Sequence, residues 1–278
     1  MGLIFSFLLA ACGSEQAPEE RQQPTAGDHR LTIEAGGKQR AFLVHAPPGF
    51  TADKPVPLVI ALHFFPGDGE RLRTMIGMDA KADEHHFLVA YPDGLAGGFN
   101  ALICCGAEDD VGFLKALTDK MIADWGVDAN RVYATGISNG ADMSFRLAVE
   151  ATGVFAAVAP ISGGFGGPNA EAADYKPAKP VSVLTVIGTL DKYYDVFEAG
   201  LTKWRERLKC QPARESGDAK VKRSSARCAD GSDLEIYVVT DMGHSWPGAR
   251  TGEMALVDAP IVATDLIWDF FAAHPRVN

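Results

Sequence analysis

The sequence predicts an α/β architecture, a mostly parallel central sheet with helices on both faces, and three observations carry that prediction. Strand-like and helix-like stretches alternate along the body of the chain. Several of the strand-like stretches are almost continuously apolar, as Pro55–His63 is, which suits strands buried on both faces. A short β-rich stretch from Arg131 leads through a tight turn at 136–140 into an apolar helix, Ala141 to Ala151. With 278 residues, 47% of them hydrophobic and 22% charged, the chain has enough material for one large domain with a full core.

In chain order, Leu31–Ile33 and Arg40–His45 read as strands about a Gly36-Gly37 turn. Pro55–His63 is a buried strand that ends in a Pro/Gly-rich loop, residues 63–69, and Glu70–Glu84 has helical spacing. Phe87–Tyr91 is another buried strand. Asp109–Trp125 is a long helix with an acidic start and one apolar face. Phe155–Ile161, Val181–Ile187 and Leu234–Thr240 are further strands, with helices at Val196–Leu208 and Pro260–Ala273. The basic cluster Lys220, Lys222, Arg223 and Arg227 reads as a solvated loop.

The first residues differ from the body. Gly2 to Ala11 is apolar but too short to span a bilayer, and it ends in Leu9-Ala10-Ala11-Cys12. That pattern resembles a bacterial lipoprotein signal, in which the cysteine is lipidated, although no Lys or Arg precedes the apolar run. Residues 13–28 are polar and rich in Glu, Gln and Pro, a composition suited to a flexible tether. The expected organisation is a signal segment over 1–12, a tether over 13–28 and a single α/β domain over 29–278. The expected location is the bacterial cell envelope, with membrane attachment only through a lipid on Cys12.

A net charge of −10 disfavours nucleic acid as a partner. There is no H-E-x-x-H, C-x-x-C, EF-hand, P-loop or G-x-G-x-x-G motif, so no metal or cofactor is expected. With Cys12 set aside, four cysteines remain. Cys210 and Cys228 flank a polar loop and are expected to pair in an exported protein. Cys104 and Cys105 are adjacent, and the sequence leaves open whether they form a disulfide or stay as thiols.

The chemistry is concentrated at Gly136-Ile137-Ser138-Asn139-Gly140, a G-x-S-x-G turn between a strand and a helix. Such an elbow pushes the serine hydroxyl into a cleft and aims helix N–H groups at an oxyanion. A serine needs a general base, and the base needs an orienting carboxylate. In the α/β-hydrolase fold these follow in the order Ser, Asp or Glu, His. Only His244 and His274 follow Ser138, and His274 reads as a cap at the end of the last helix. His244 lies in the loop after Leu234–Thr240, where it can reach the serine. Asp191 follows the end of Val181–Ile187 and is the expected acid, with Asp195 as runner-up. The oxyanion hole is expected from the Asn139 N–H and one from Phe64 or Phe65. Asp142, on the helix past Ser138, reads as solvated or capping.

These segments together resemble the secreted polyhydroxybutyrate depolymerase-like and feruloyl esterase-like branch of the α/β-hydrolases. The matching stretches are Pro57–His63, Tyr91-Pro92-Asp93-Gly94, Asp109–Leu114, the elbow, Gly188-Thr189-Leu190-Asp191 and Gly243–Gly248. The resemblance implies a Ser138, Asp191, His244 triad acting without a cofactor on an ester. The implied ester is a feruloyl or acetyl ester of plant polysaccharide, or else a hydroxyalkanoate polyester. A catalytically weak binding lipoprotein on the same scaffold is the reading from another class. The family usually has His-Gly where this chain has His63-Phe64, which bears on the shape of the oxyanion loop. Tyr193, Tyr194 and Trp246 are expected to line the cleft with Phe64 and Phe65.

Overall fold

The computed structural model describes Gly2 and residues 23–276. Cys12, the signal segment beyond Gly2 and most of the expected tether lie outside the described residues.

The strands of the main sheet are β1 (Thr25–Ala35), β2 (Lys38–Thr51), β3 (Val56–Leu62), β4 (Leu88–Pro92), β5 (Val127–Ile137), β6 (Ala157–Ile161), β7 (Ser182–Gly188), β8 (Arg214–Gly217), β9 (Val221–Arg227) and β10 (Asp233–Val239). They form one ten-stranded sheet in the order β1-β2-β4-β3-β5-β6-β7-β10-β9-β8. The six central strands, from β4 through β3, β5, β6 and β7 to β10, run parallel. An antiparallel hairpin closes each edge. The molecule therefore has the α/β-hydrolase fold, with a mostly parallel sheet.

The helices are α1 (Gly69–Ile76), α2 (Met78–His85), α3 (Asp110–Trp125), α4 (Asn139–Glu150), α5 (Tyr194–Leu208) and α6 (Ala263–Ala273). Alternating residues of β3 show how they cover the sheet. Leu58, Ile60 and Leu62 pack with Leu114 of α3, Phe145 of α4 and Trp204 of α5. Val59 and Ala61 point the other way, toward Leu72 of α1, Ala82 of α2 and Phe271 of α6. A strand buried on both faces has no polar side to alternate with, hence its unbroken apolar run.

Four details differ from the sequence reading. The single helix expected over Glu70–Glu84 is two, because Gly77 adopts φ 65° between them and ends the first hydrogen-bond ladder. β1 starts at Thr25, so residues 25–28 are strand rather than tether. Of the basic cluster, Lys222, Arg223 and Arg227 lie on β9, where Arg223 pairs with Glu235 of β10, and Lys220 alone stays in the turn before it. The edge strand β8 is exposed throughout and carries no apolar pattern that would announce it. Cys210 and Cys228 are joined by a disulfide, and so are Cys104 and Cys105.

Candidate active site

The C-terminal ends of β3, β5, β6, β7 and β10 lie on one rim of the parallel sheet. His63, Ser138, Ser162, Asp191 and His244 all follow these strand ends. Ser138 sits between β5 and α4 with φ 58° and ψ −120°, a conformation few non-glycine residues adopt. The flanking glycines explain how the turn closes. A Cβ on Gly140 would stand 2.0 Å from the Leu62 carbonyl oxygen, and one on Gly136 would stand 2.6 Å from the same oxygen. Only bare backbone lets the elbow lie this close to the end of β3. The Ser138 N–H donates to Ile161 O at 3.1 Å, and Ser138 O accepts from Ala141 and Asp142.

Asp191 and His244 meet. The Nδ1 of His244 and Oδ2 of Asp191 are 2.6 Å apart, and the Asp191 side chain is fully buried. Asp191 Oδ1 also accepts from the Tyr193 N–H at 3.0 Å, which fixes the carboxylate plane. With Nδ1 given to the acid, Nε2 is the ring nitrogen left for proton transfer. Asp195, the runner-up acid, is exposed in the first turn of α5.

Ser138 and His244 are tied to one short segment. Ile161 holds the Ser138 amide. The next residue, Ser162, exchanges two hydrogen bonds with Ser245, donating to its carbonyl at 2.9 Å and accepting from its N–H at 3.3 Å.

The Asn139 amide begins α4, where helical N–H groups lack partners within the helix. Its side chain does unforeseen work. Oδ1 accepts from the Phe99 N–H at 2.8 Å, and Nδ2 donates to Phe99 O at 3.0 Å and to Cys104 O at 2.9 Å. The residue after Ser138 thus clamps the loop that carries the Cys104–Cys105 disulfide. Below that loop, Arg40 and Asp110 form a buried pair at 2.5 Å, and Asp110 Oδ2 accepts from the Asn100 N–H at 2.6 Å.

The loop after β3 is braced by His63, which is fully buried. Its Nε2 accepts from the Gly94 N–H at 2.9 Å, so its Nδ1 carries the proton and donates to Phe64 O at 2.7 Å. Burial holds this imidazole below its ordinary pKa, in keeping with a neutral ring. The Phe64 ring is itself buried, with the Arg71 guanidinium 4.9 Å above its centroid. Phe64 therefore turns into the body, and its bulk does not block the rim. Phe65 is 43% exposed, and its ring packs on Gly98. A Cβ on Gly98 would stand 2.7 Å from that ring and 3.4 Å from Asn139 Oδ1, so bare backbone at this point lets the ring lie beside the elbow.

The other aromatic residues part ways. The Tyr193 ring is 5.7 Å from the His244 ring and stands at the rim. Tyr194 instead lines a groove between α5 and the β9–β10 edge, with its hydroxyl on Glu198. Trp246 corrects the expectation of a cleft wall. It is fully buried against α6, and its indole N–H donates to Thr264 Oγ1 at 3.1 Å. Asp142, expected solvated or capping, is also buried, with Oδ1 accepting the Gly164 N–H at 2.8 Å.

Among the described residues, Asp28, His45 and Asp79 bring three possible metal-ligand atoms within 4.8 Å. Arg73 already supplies a cation there, bonding Asp79 at 2.6 Å and also Asp28. No described helix is long and apolar enough to cross a membrane.

The fold is that of the α/β-hydrolases, and the chain's similarities run to esterases built on it. The family model described as esterase PHB depolymerase matches residues 40–175. The candidate esterase NocK of Nocardia uniformis subsp. tsuyamanensis is 28% identical, over 91% of this chain and 85% of its own. Feruloyl esterase C of Emericella nidulans is 26% identical, over 84% of each chain. Among solved structures, acetyl xylan esterase from Aspergillus awamori superposes with a TM-score of 0.65 at 16% identity, covering 89% of this chain and 99% of that one.

Proposed function

We propose that the protein is a serine carboxylic-ester hydrolase that works through an acyl-enzyme. The observation that carries this reading is the buried Asp191 bonded to His244 Nδ1 at 2.6 Å, on the same rim as a serine held in an elbow. In the proposed cycle Ser138 Oγ attacks the ester carbonyl while His244 Nε2 takes its proton. Asp191 keeps the ring in the required tautomer and stabilises the imidazolium. The Asn139 N–H and an N–H of Phe64 or Phe65 receive the developing oxyanion. His244 then protonates the leaving alcohol, and a water activated by the same ring releases the acid.

The preferred substrate is a feruloyl or acetyl ester on plant polysaccharide. Support comes from the resemblance to a feruloyl esterase along most of both chains and from the exposed aromatic faces of Phe65 and Tyr193. A polyhydroxyalkanoate is the second reading. The family description favours it, as does the exposed apolar rim that includes Leu190 and Val196. Attachment to the bacterial envelope through Cys12 belongs to the same proposal and suits the first reading, since a tethered enzyme meets soluble oligomers more readily than a solid.

The test is a panel of methyl ferulate, acetylated xylan and polyhydroxybutyrate, with the wild type beside Ser138→Ala. Ester turnover that falls roughly a thousandfold or more in the variant is the expected result. A fluorophosphonate that leaves Ser138 unlabelled would overturn the enzyme reading in favour of a binding lipoprotein.

A further inference from the structure

Ser162 is a serine where the backbone asks for glycine. Its φ is 47°, in the left-handed region, and its side chain is fully buried. Non-glycine residues in that region cost free energy and persist where the side chain is needed. Here the side chain has a definite use. The hydroxyl donates to Ser245 O at 2.9 Å and accepts from Ser245 N–H at 3.3 Å, replacing a backbone ladder partner for that residue.

The rest of the histidine loop is held at its two ends. Leu190 N–H donates to Met242 O at 2.9 Å, Asp241 N–H to Thr189 Oγ1 at 2.9 Å, and Trp246 N–H to Met254 O at 2.7 Å. Between Met242 and Trp246, the bonds to other described segments come from Asp191, on the His244 ring, and from Ser162, on the Ser245 backbone. Asp191 fixes the ring's direction and Ser162 fixes the main chain from which the ring hangs.

Ser162 is also anchored toward both other members of the site. Its own N–H donates to Val186 O at 2.9 Å, on the strand that leads to Asp191. The residue before it accepts the Ser138 N–H. The serine, acid and histidine thus share one fixed point, residues 161–162.

We propose that Ser162 is a positioning residue for His244, its hydroxyl stapling the backbone of Ser245 so that Nε2 is set against the Ser138 hydroxyl. The proposal rests on the serine-hydrolase reading above. Ser162 contributes to the chemical step rather than to substrate affinity, because it touches neither substrate nor reacting atoms. A loosened histidine costs rate through misplacement by fractions of an ångström.

Ser162→Gly separates the hydroxyl from the backbone, since glycine accepts the same φ without strain. With p-nitrophenyl acetate, Ser162→Gly is expected to lower kcat by about 10- to 100-fold with KM within about twofold, and to slow fluorophosphonate labelling in parallel. Ser162→Ala should lose at least as much. A Ser162→Gly enzyme with wild-type kcat overturns the proposal, as does a loss shared between kcat and KM in step with a lowered melting temperature. Amide exchange at Ser245 in the wild type gives a check that needs no variant: a fast-exchanging Ser245 N–H also overturns the staple. Failure of the parent reading looks different, because wild-type activity and labelling would then be indifferent to Ser138→Ala.

Discussion

Asp142 lies one helical turn past Ser138 and is a carboxyl in the wrong medium. Burial pushes its pKa up to about 8, against a single opposing hydrogen bond from Gly164. The folded state therefore holds a proton that the unfolded chain releases near pH 4. Stability from this group is complete below that point and falls as pH rises toward 8. Asp142→Asn keeps an acceptor for Gly164 and removes the buried charge. Its melting temperature should match the wild type near pH 4 and exceed it by several degrees at pH 8; a variant less stable at pH 8 would refute the account. The sequence misleads about this residue for a definite reason. Helical spacing puts Asp142 in the first turn, where acids are welcome and often solvated, but the 163–164 backbone folds over it. The placement of Ser138, Asp191 and His244 just past strand ends is legible, because the end of an apolar strand is a local signal. The Asn139 clamp and the Ser162 staple are not, since both depend on which distant loop a short polar side chain meets.

The elements tell a similar story. Buried strands such as β3 announce themselves by composition, and the long helix α3 by its apolar face. The break between α1 and α2 does not show, because the apolar spacing continues across Gly77 and only its left-handed φ divides them. Trp246 follows a histidine in a loop and suggests a cleft wall, yet its partner is Thr264, eighteen residues away on α6. The Cys210–Cys228 disulfide is legible from the flanking of a polar loop. It ties the end of α5 to the end of β9 across a separation of eighteen residues. Closing a loop of that length restricts the unfolded chain by roughly 3 kcal/mol. The double variant Cys210→Ser, Cys228→Ser should lower the unfolding free energy by about that amount in urea while leaving kcat unchanged, because the link lies at the sheet edge remote from His244. A large fall in kcat with intact stability would show that the edge communicates with the site.

A larger consequence follows from how the β1–β2 edge is joined to the α1–α2 layer. His45 on β2 bonds Asp28 of β1 at 2.7 Å and Asp83 of α2 at 2.9 Å, with Asp79 of α2 3.8 Å away. Arg73 of α1 faces the same cluster and bonds Asp28 and Asp79, and Tyr91 of β4 donates to Asp79 at 2.6 Å. Burial opposes the charge on His45, but the hydrogen bonds to Asp28 and Asp83 and the nearby carboxylates outweigh it and raise its pKa. A raised histidine stabilises the fold fully below its unfolded pKa, about 6.5, and ceases to do so as pH climbs through the folded value. Asp28 behaves oppositely. Burial works to raise its pKa, but its bonds to Arg73 and His45 win and lower it, so its contribution is lost only as pH falls below the ordinary carboxylate range. The two limbs enclose a window of greatest stability on the acid side of neutrality, between about pH 5 and 6.5. Asp142 pulls the optimum toward the acid end, because its contribution already falls from about pH 4 to 8, and the net charge of −10 adds self-repulsion as histidines deprotonate. Melting temperatures from pH 4 to 9 should be highest at about pH 5 and fall toward pH 9, and His45→Gln should lower the peak while leaving the pH 9 value nearly unchanged. A wild-type curve that keeps rising to pH 9, or a His45→Gln loss that is the same at every pH, would mean that the edge is held by packing and not by the charge on this ring.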